Sequence, residues 1–143
     1  MYSYQYPRPA VTTDAILISP DKKVLLIERG REPFRGTWAL PGGFIGMDEE
    51  LEVACARELE EETGISGIAL TQFKAFGGVG RDPRHRTISV LFYAFLDFEP
   101  EAKAGDDAAK ARWFPMNWLP ELAFDHAAIL DEFKNSFPDS FDL

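Results

Sequence analysis

A single cysteine, Cys55, stands in 143 residues. That scarcity excludes an internal disulfide framework and any metal site built from thiolates alone, and it makes the cytoplasm the expected setting. Long apolar runs are missing too, and nothing approaches the roughly 20 residues a helix needs to span a bilayer. The N-terminus, MYSYQYPRPAVTTD, has no apolar core that could serve as a secretory signal. A soluble protein with no membrane partner is expected. Basic residues are outnumbered, 15 Lys plus Arg against 24 Asp plus Glu, for a net charge of −9. This balance opposes a broad nucleic-acid footprint, yet leaves room for a local basic patch on a phosphorylated small molecule. Acids gathered in a pocket could recruit divalent cations. No internal repeat and no linker divides the chain, so residues 1–143 are expected to form one domain with a substantial core.

Along the chain, Tyr2, Tyr4 and Tyr6 alternate before Pro7 and Pro9. Residues 1–10 read either as an extended arm that packs its aromatic rings on a neighbour or as a sticky terminus. Val11–Ser19 and Val24–Ile27 favour strands around a turn at Pro20–Lys23, a hairpin. Arg29–Thr37 is a charged loop, Trp38–Leu40 a short apolar piece, and Pro41–Gly43 forces a change of path. Glu50–Glu62 is rich in helix formers and ends at Thr63–Gly64, where glycine supplies the left-handed cap. Ile68–Phe76 and Thr87–Leu96 read as strands flanking the loop Gly77–Arg86. Asp97–Lys110 is a second polar loop, Ala111–Phe114 a short strand, and Asp125–Phe137 a closing helix. Strands, helix, strands, helix, without regular βαβ repetition, favour a mixed α/β sandwich over a doubly wound sheet.

The densest chemical signal is GFIGMDEELEVACARELEEETGI, Gly43 to Ile65. On a helix Glu58, Glu61 and Glu62 fall at i, i+3 and i+4 and share one face, where like charges repel. A solvated acidic face is the bland explanation. Divalent cations resolve the repulsion differently: Mg²⁺ or Mn²⁺ takes hard oxygen ligands and bridges to phosphate oxygens.

The full spacing decides between them. Gly43, five residues, Glu49, seven residues, Arg57–Glu58–Leu59, one residue, Glu61–Glu62, one residue, Gly64–Ile65 resembles the Nudix signature at every defined position. The motif covers 23 residues, and the order of elements resembles the Nudix fold over nearly the whole chain. The resemblance implies an α/β/α sandwich with a mixed β-sheet. It implies that Glu58, Glu61 and Glu62 bind metal, that Arg57 orients the acids, and that Glu49 braces the loop. Gly43 and Gly64 are then structural, and a backbone carbonyl at Gly42 is a further candidate metal ligand.

Other segments, YPRPAVTTDAILI, GREPFRGTWALPGGF, FGGVGRDPRHRTISV and DDAAKARWFPMNWLPELAFDHAAIL, resemble the ADP-ribose pyrophosphatase-like branch of that superfamily. This implies metal-dependent hydrolysis of ADP-ribose to AMP and ribose 5-phosphate by a homodimer, to which an N-terminal dimerisation arm at residues 1–10 and the loops would contribute. Alternatives are a nucleoside triphosphate pyrophosphohydrolase and a non-catalytic sensor of ADP-ribose or a related nucleotide. Sensors of that kind carry a winged-helix extension, for which a chain ending at Leu143 is expected to have no room.

Arg81, Arg84 and Arg86 crowd a flexible Gly/Pro loop of an acidic protein, where a guanidinium can grip phosphate with two prongs. Arg29 and Arg35 are further substrate-binding candidates. Tyr6, Phe34, Trp38 and Phe76 are candidate pocket aromatics, with core packing preferred for Trp38. Asp107, beside Asp106 and mobile Gly105, is a candidate general base, and Glu61 is the alternative on the helix. His126 reads as structural, His85 as exposed, and Cys55 as buried and inert.

Overall fold

The computed structural model describes residues 2–105 and 108–142. Strands β1 (Ala10–Ile18) and β2 (Lys23–Arg29) form the expected hairpin, but pair only near its turn, at Ile18↔Val24. Beyond that point they diverge. The far half of β1 takes β4 (Gly42–Phe44), with Thr12 opposite Phe44 and Asp14 opposite Gly42. The far half of β2 takes β3 (Trp38–Ala39), with Ile27 opposite Ala39. Residues 38–44 therefore fill the wedge between the two strands. The change of path expected at Pro41–Gly43 occurs, yet Gly42 and Gly43 are themselves strand residues.

Helix α1 (Leu51–Thr63) follows and closes at Gly64, whose φ of 76° is left-handed and whose N–H donates to Glu60 O at 2.8 Å. Strand β5 (Thr71–Phe76) begins later than expected, and β6 (Thr87–Phe95) lies parallel to β1 from Ala10↔Thr87 to Ile18↔Phe95. Strand β7 (Ala108–Pro115) runs antiparallel along all of β2 and is longer than the sequence indicated. Its alternating polar and apolar residues hide it from a hydrophobicity reading, and the ladder to β2 supplies its hydrogen bonds. Helix α2 (His126–Ser136) and a 3-10 turn at Pro138–Ser140 end the chain. The whole is a seven-stranded mixed sheet.

Side chains alternate across a strand with period 2, and the cores follow that rule. Ile16, Ile18, Val24, Leu26 and Leu91 face α2, where Ile129, Leu130 and Phe133 cover them. Ala15, Leu17, Leu25, Val90 and Phe92 face α1, where Cys55 and Leu59 cover them. Both faces of the central strands are thus buried, the layering of an α/β/α sandwich. Among the described residues no helix is long and apolar enough to cross a membrane. On the N-terminal arm Tyr2, Tyr4 and Tyr6 are exposed, with Tyr2 stacked on Tyr4 and Arg8 lying 4.1 Å from the Tyr4 ring centre.

Candidate active site

A cavity of about 390 Å³ opens where β1 and β2 diverge, bounded by β4, α1, the loop after β5 and the start of α2. Its acidic wall comes from α1. Glu62 accepts a hydrogen bond from Gly42 N at 2.7 Å, tying the helix to β4. Glu58 packs against Gly43 so closely that a Cβ there would sit 2.6 Å from the carboxyl carbon. Arg57 reaches three carboxylates: Glu49 at 2.9 Å, Glu58 at 2.8 Å and Glu61 at 3.2 Å. The bond from Arg57 holds the Glu49 carboxyl down at about 2, helped by the N–H of Gly46. Burial pushes Glu58 the other way, upward, partly offset by Arg57 and reinforced by Glu61 and Glu49.

The floor is Asp14 on β1, buried and backed by Gly42, where a Cβ would overlap the Asp14 carboxylate and Thr13 O. Burial lifts the Asp14 carboxyl to about 7, against the pull of Arg81 and with added repulsion from Asp125 and Glu58. Sequence reading missed Asp14, because one acid inside an apolar strand carries no motif.

The opposite wall is basic and aromatic. Arg84 lies 5.4 Å from the Phe44 ring centre and 5.3 Å from that of Phe124, and Arg29 lies 4.9 Å from Phe124. Burial, then the neighbouring Arg84, depresses the Arg29 guanidinium below its ordinary value. Two cations drawn together, the Arg29 one partly desolvated, favour an anion between them. Asp82 forks onto Arg84 at 3.0 and 2.8 Å. Burial alone would raise the Asp82 carboxyl, but hydrogen bonds from Arg84 and Thr87 bring it to about 2. His126 accepts from Leu40 N through Nδ1 at 3.0 Å, and burial lowers its pKa to about 4. It is the structural histidine the sequence indicated.

The cavity gathers Glu58, Glu62, Gly42, Arg29, Arg81 and Arg84 from the expected set. Arg57 and Glu61 stand just outside it, joined to Glu58 through the Arg57 fork. Arg35 and Arg86 lie away from the lining; Arg35 bonds Gly30 O at 3.3 Å and Arg86 bonds Gly78 O at 3.4 Å. Asp107 falls outside the described residues. Trp38 packs in the core as expected, but the other aromatic candidates need correction. Tyr6 is exposed, Phe76 packs with the α2-side core, and Phe34 stands edge-on to Phe124, 4.9 Å away, rather than in the cavity lining. The lining aromatics are Phe44 and Phe124 instead, brought together by β4 and the turn before α2.

The donors suit a hard divalent cation. Glu58 and Glu62 offer carboxylate oxygens beside the Gly42–Gly43 backbone. Among the described residues no three His, Cys, Asp or Glu side chains converge to enclose an ion by themselves. Such a donor set matches the habit of Mg²⁺, which keeps water and takes substrate phosphate as ligands.

The NUDIX domain model matches residues 8–134. An ADP-ribose pyrophosphatase from Methanocaldococcus jannaschii is 45% identical over 129 residues, covering 90% of this chain and 75% of that protein. An ADPR-responsive transcriptional repressor from Acinetobacter baylyi is 34% identical over 134 residues, covering 89% of this chain but 54% of the repressor. The solved NUDIX domain of Shewanella oneidensis NrtR, complexed with ADP ribose, superposes with a TM-score of 0.84 at 30% identity, covering 92% of this chain and 90% of that one.

Proposed function

The chain belongs to the NUDIX family as a pyrophosphohydrolase, and from that premise we propose that it hydrolyses ADP-ribose to AMP and ribose 5-phosphate with Mg²⁺ or Mn²⁺. The observation that carries the reading is the polarity of the cavity, with Glu58 and Glu62 on one wall and Arg29 and Arg84 on the other. A pyrophosphate between them would meet carboxylates able to hold a cation on one side and guanidinium groups on the other, and the 45% identical relative is an ADP-ribose pyrophosphatase.

Arg29 and Arg84 bind and orient the phosphates, their guanidinium groups set against the Phe124 ring. Glu58, Glu62 and the Gly42 backbone would hold the cation, with Glu61 at the outer edge; there it would lessen the phosphate's charge and position the attacking water. Arg57 orients Glu58 and Glu61 and keeps them from drifting apart. Glu61, the more exposed of the acids, accepts a proton from water, and Asp107 is the alternative base. Arg81 steadies the wall, while Arg35 and Arg86 approach only a substrate that extends beyond the cavity.

The NrtR domain that binds ADP ribose favours a second reading, a ligand sensor without turnover. Intact acids at Glu58, Glu61 and Glu62 favour the enzyme. Product-resolved chromatography over a panel of ADP-ribose, NADH, dinucleoside polyphosphates and nucleoside triphosphates separates the readings. AMP with ribose 5-phosphate at the highest catalytic efficiency supports ours. A preferred triphosphate releasing pyrophosphate moves the protein to that substrate class, and binding without products makes it a sensor. We further propose a homodimer through residues 1–10, which light scattering on the full chain tests; a monomer, or a dimer unchanged by Tyr2→Ser with Tyr6→Ser, overturns it.

A further inference from the structure

His126 is buried at 4% exposure, yet it lines the cavity. Its Nδ1 accepts the Leu40 N–H at 3.0 Å, so that nitrogen carries no proton. A neutral imidazole with Nδ1 as acceptor must hold its proton on Nε2. No hydrogen bond from Nε2 to another described residue accompanies the one at Nδ1. Burial, which lowers the ring's affinity for a second proton, keeps it neutral through the ordinary pH range. The ring is also fixed in place: Phe124 stands 5.6 Å away on one side, and Leu40 anchors it through β3–β4. The next residue back, Asp125, is occupied by Arg81. A rigid, unspent donor lies at the cavity wall, while Arg29 and Arg84 in the same cavity already serve the phosphates. It suits an uncharged acceptor, and leaving it unpaired in a closed complex costs affinity.

We propose that His126 determines substrate specificity by donating its Nε2–H to an uncharged acceptor, a sugar hydroxyl oxygen or a base nitrogen, of the nucleotide in the cavity. The inference rests on the hydrolase reading for its substrate, but the spectroscopic arm of its test does not need turnover. Asn places an acceptor near the Nδ1 position, keeping the Leu40 anchor while deleting the Nε2 donor. Gln places an amide near the Nε2 position and gives up the anchor. His126→Asn is expected to keep its Tm within a few degrees, raise KM for ADP-ribose on the order of tenfold and change kcat less than twofold. His126→Gln is expected to recover KM in part while losing more stability. A KM for His126→Asn equal to wild type overturns the proposal.

Histidine ¹H–¹⁵N spectra of the wild-type protein, with ADP-ribose and EDTA so that no product forms, provide a readout free of both variants and catalysis. The Nε2–H tautomer should appear in the free protein, and its Nε2 resonance should move on saturation. An Nδ1–H tautomer, or an Nε2 resonance unmoved by bound ligand, also overturns it. Repeating the titration with AMP and with ribose 5-phosphate locates the acceptor: movement with AMP places it on the nucleoside, movement with ribose 5-phosphate on the second sugar. Movement in the spectra without cleavage of any panel substrate would sink the hydrolase reading and leave this one standing.

Discussion

Arg81 and Asp125 lie 44 residues apart, yet their side chains meet in a two-pronged pair, Nε to Oδ2 at 2.8 Å and Nη2 to Oδ1 at 2.7 Å. Arg81 also donates to Ser89 Oγ at 2.8 Å, so the loop after β5 is tied to both β6 and the start of α2. Asp125 sits at the N-cap of α2 but makes no side-chain cap; its carboxylate is committed to the arginine. The Arg81 side chain is only 6% exposed.

Asp125→Ala should therefore strand a buried guanidinium and destabilise the fold by on the order of 3 kcal/mol. Urea unfolding measures it. The double variant with Arg81→Met should be more stable than Asp125→Ala alone, because it removes the orphaned charge. Equal or lower stability of the double variant contradicts this account.

Gly42 and Gly43 should separate stability from activity. A Cβ at Gly42 meets backbone, Thr13 O, which cannot swing away, so Gly42→Ala should cost about 2 kcal/mol or more in folding. A Cβ at Gly43 meets the Glu58 carboxyl, which can rotate aside. Gly43→Ala should fold with a smaller loss and show kcat lowered at least tenfold. Calorimetry and steady-state rates on the two variants decide the matter; the reverse ranking refutes it.

Arg57→Lys tests the fork. One ammonium cannot reproduce contacts that Arg57 makes through Nη1 to Glu58 and Glu61 and through Nη2 to Glu49. With Arg57 about one-third exposed, at 35%, stability should change by less than about 1 kcal/mol. Turnover should fall on the order of 10- to 100-fold at saturating substrate. Glu62→Gln, tested the same way, should lose more turnover than Arg57→Lys while remaining folded. Wild-type turnover in a folded Glu62→Gln protein removes that residue from the chemistry.

Asp14 and His126 should pull stability in opposite directions with pH. Asp14 keeps its proton in the fold to about 7, whereas the unfolded carboxyl releases it near 3.8. Its contribution is therefore fully present at low pH and declines as pH rises from about 4 to 7. His126 in the fold refuses a proton down to about 4, whereas the unfolded imidazole accepts one near 6.5. Its contribution is lost as pH falls from about 6.5 to 4, each group sloping by at most about 1.4 kcal/mol per pH unit. Relative to wild type, Asp14→Asn should gain stability steadily as pH rises across 4 to 7, measured by urea midpoints in EDTA. Parallel wild-type and Asp14→Asn curves over that window would falsify the buried-proton assignment.

Much was legible in sequence order because it depends on near neighbours. The i, i+3, i+4 spacing put Glu58, Glu61 and Glu62 on one turn of helix, and Gly64 ended that helix through its φ of 76°. The β-rich run from Val11 to Ser19 likewise marked a strand, whose geometry sends Ile16 and Ile18 to one face and Ala15 and Leu17 to the other. Those are local consequences of backbone geometry, available before any folding is known. The family, too, was carried by a contiguous motif, and the family model covers residues 8–134.

What sequence order could not supply is proximity between distant segments. Only the fold brings Asp14 on β1 beneath Glu58 on α1, and only the wedge between β1 and β2 decides that Arg29 and Arg84 share Phe124 while Arg35 and Arg86 lie outside. Burial then sets the chemistry: the same environment lifts an aspartate, lowers a histidine and depresses an arginine, as the cost of charge in a desolvated site requires. Residue types and their spacing determined that this chain carries pyrophosphohydrolase machinery. The tertiary structure decided which charges that machinery faces, because electrostatic energy depends on distance and solvent through space rather than along the chain.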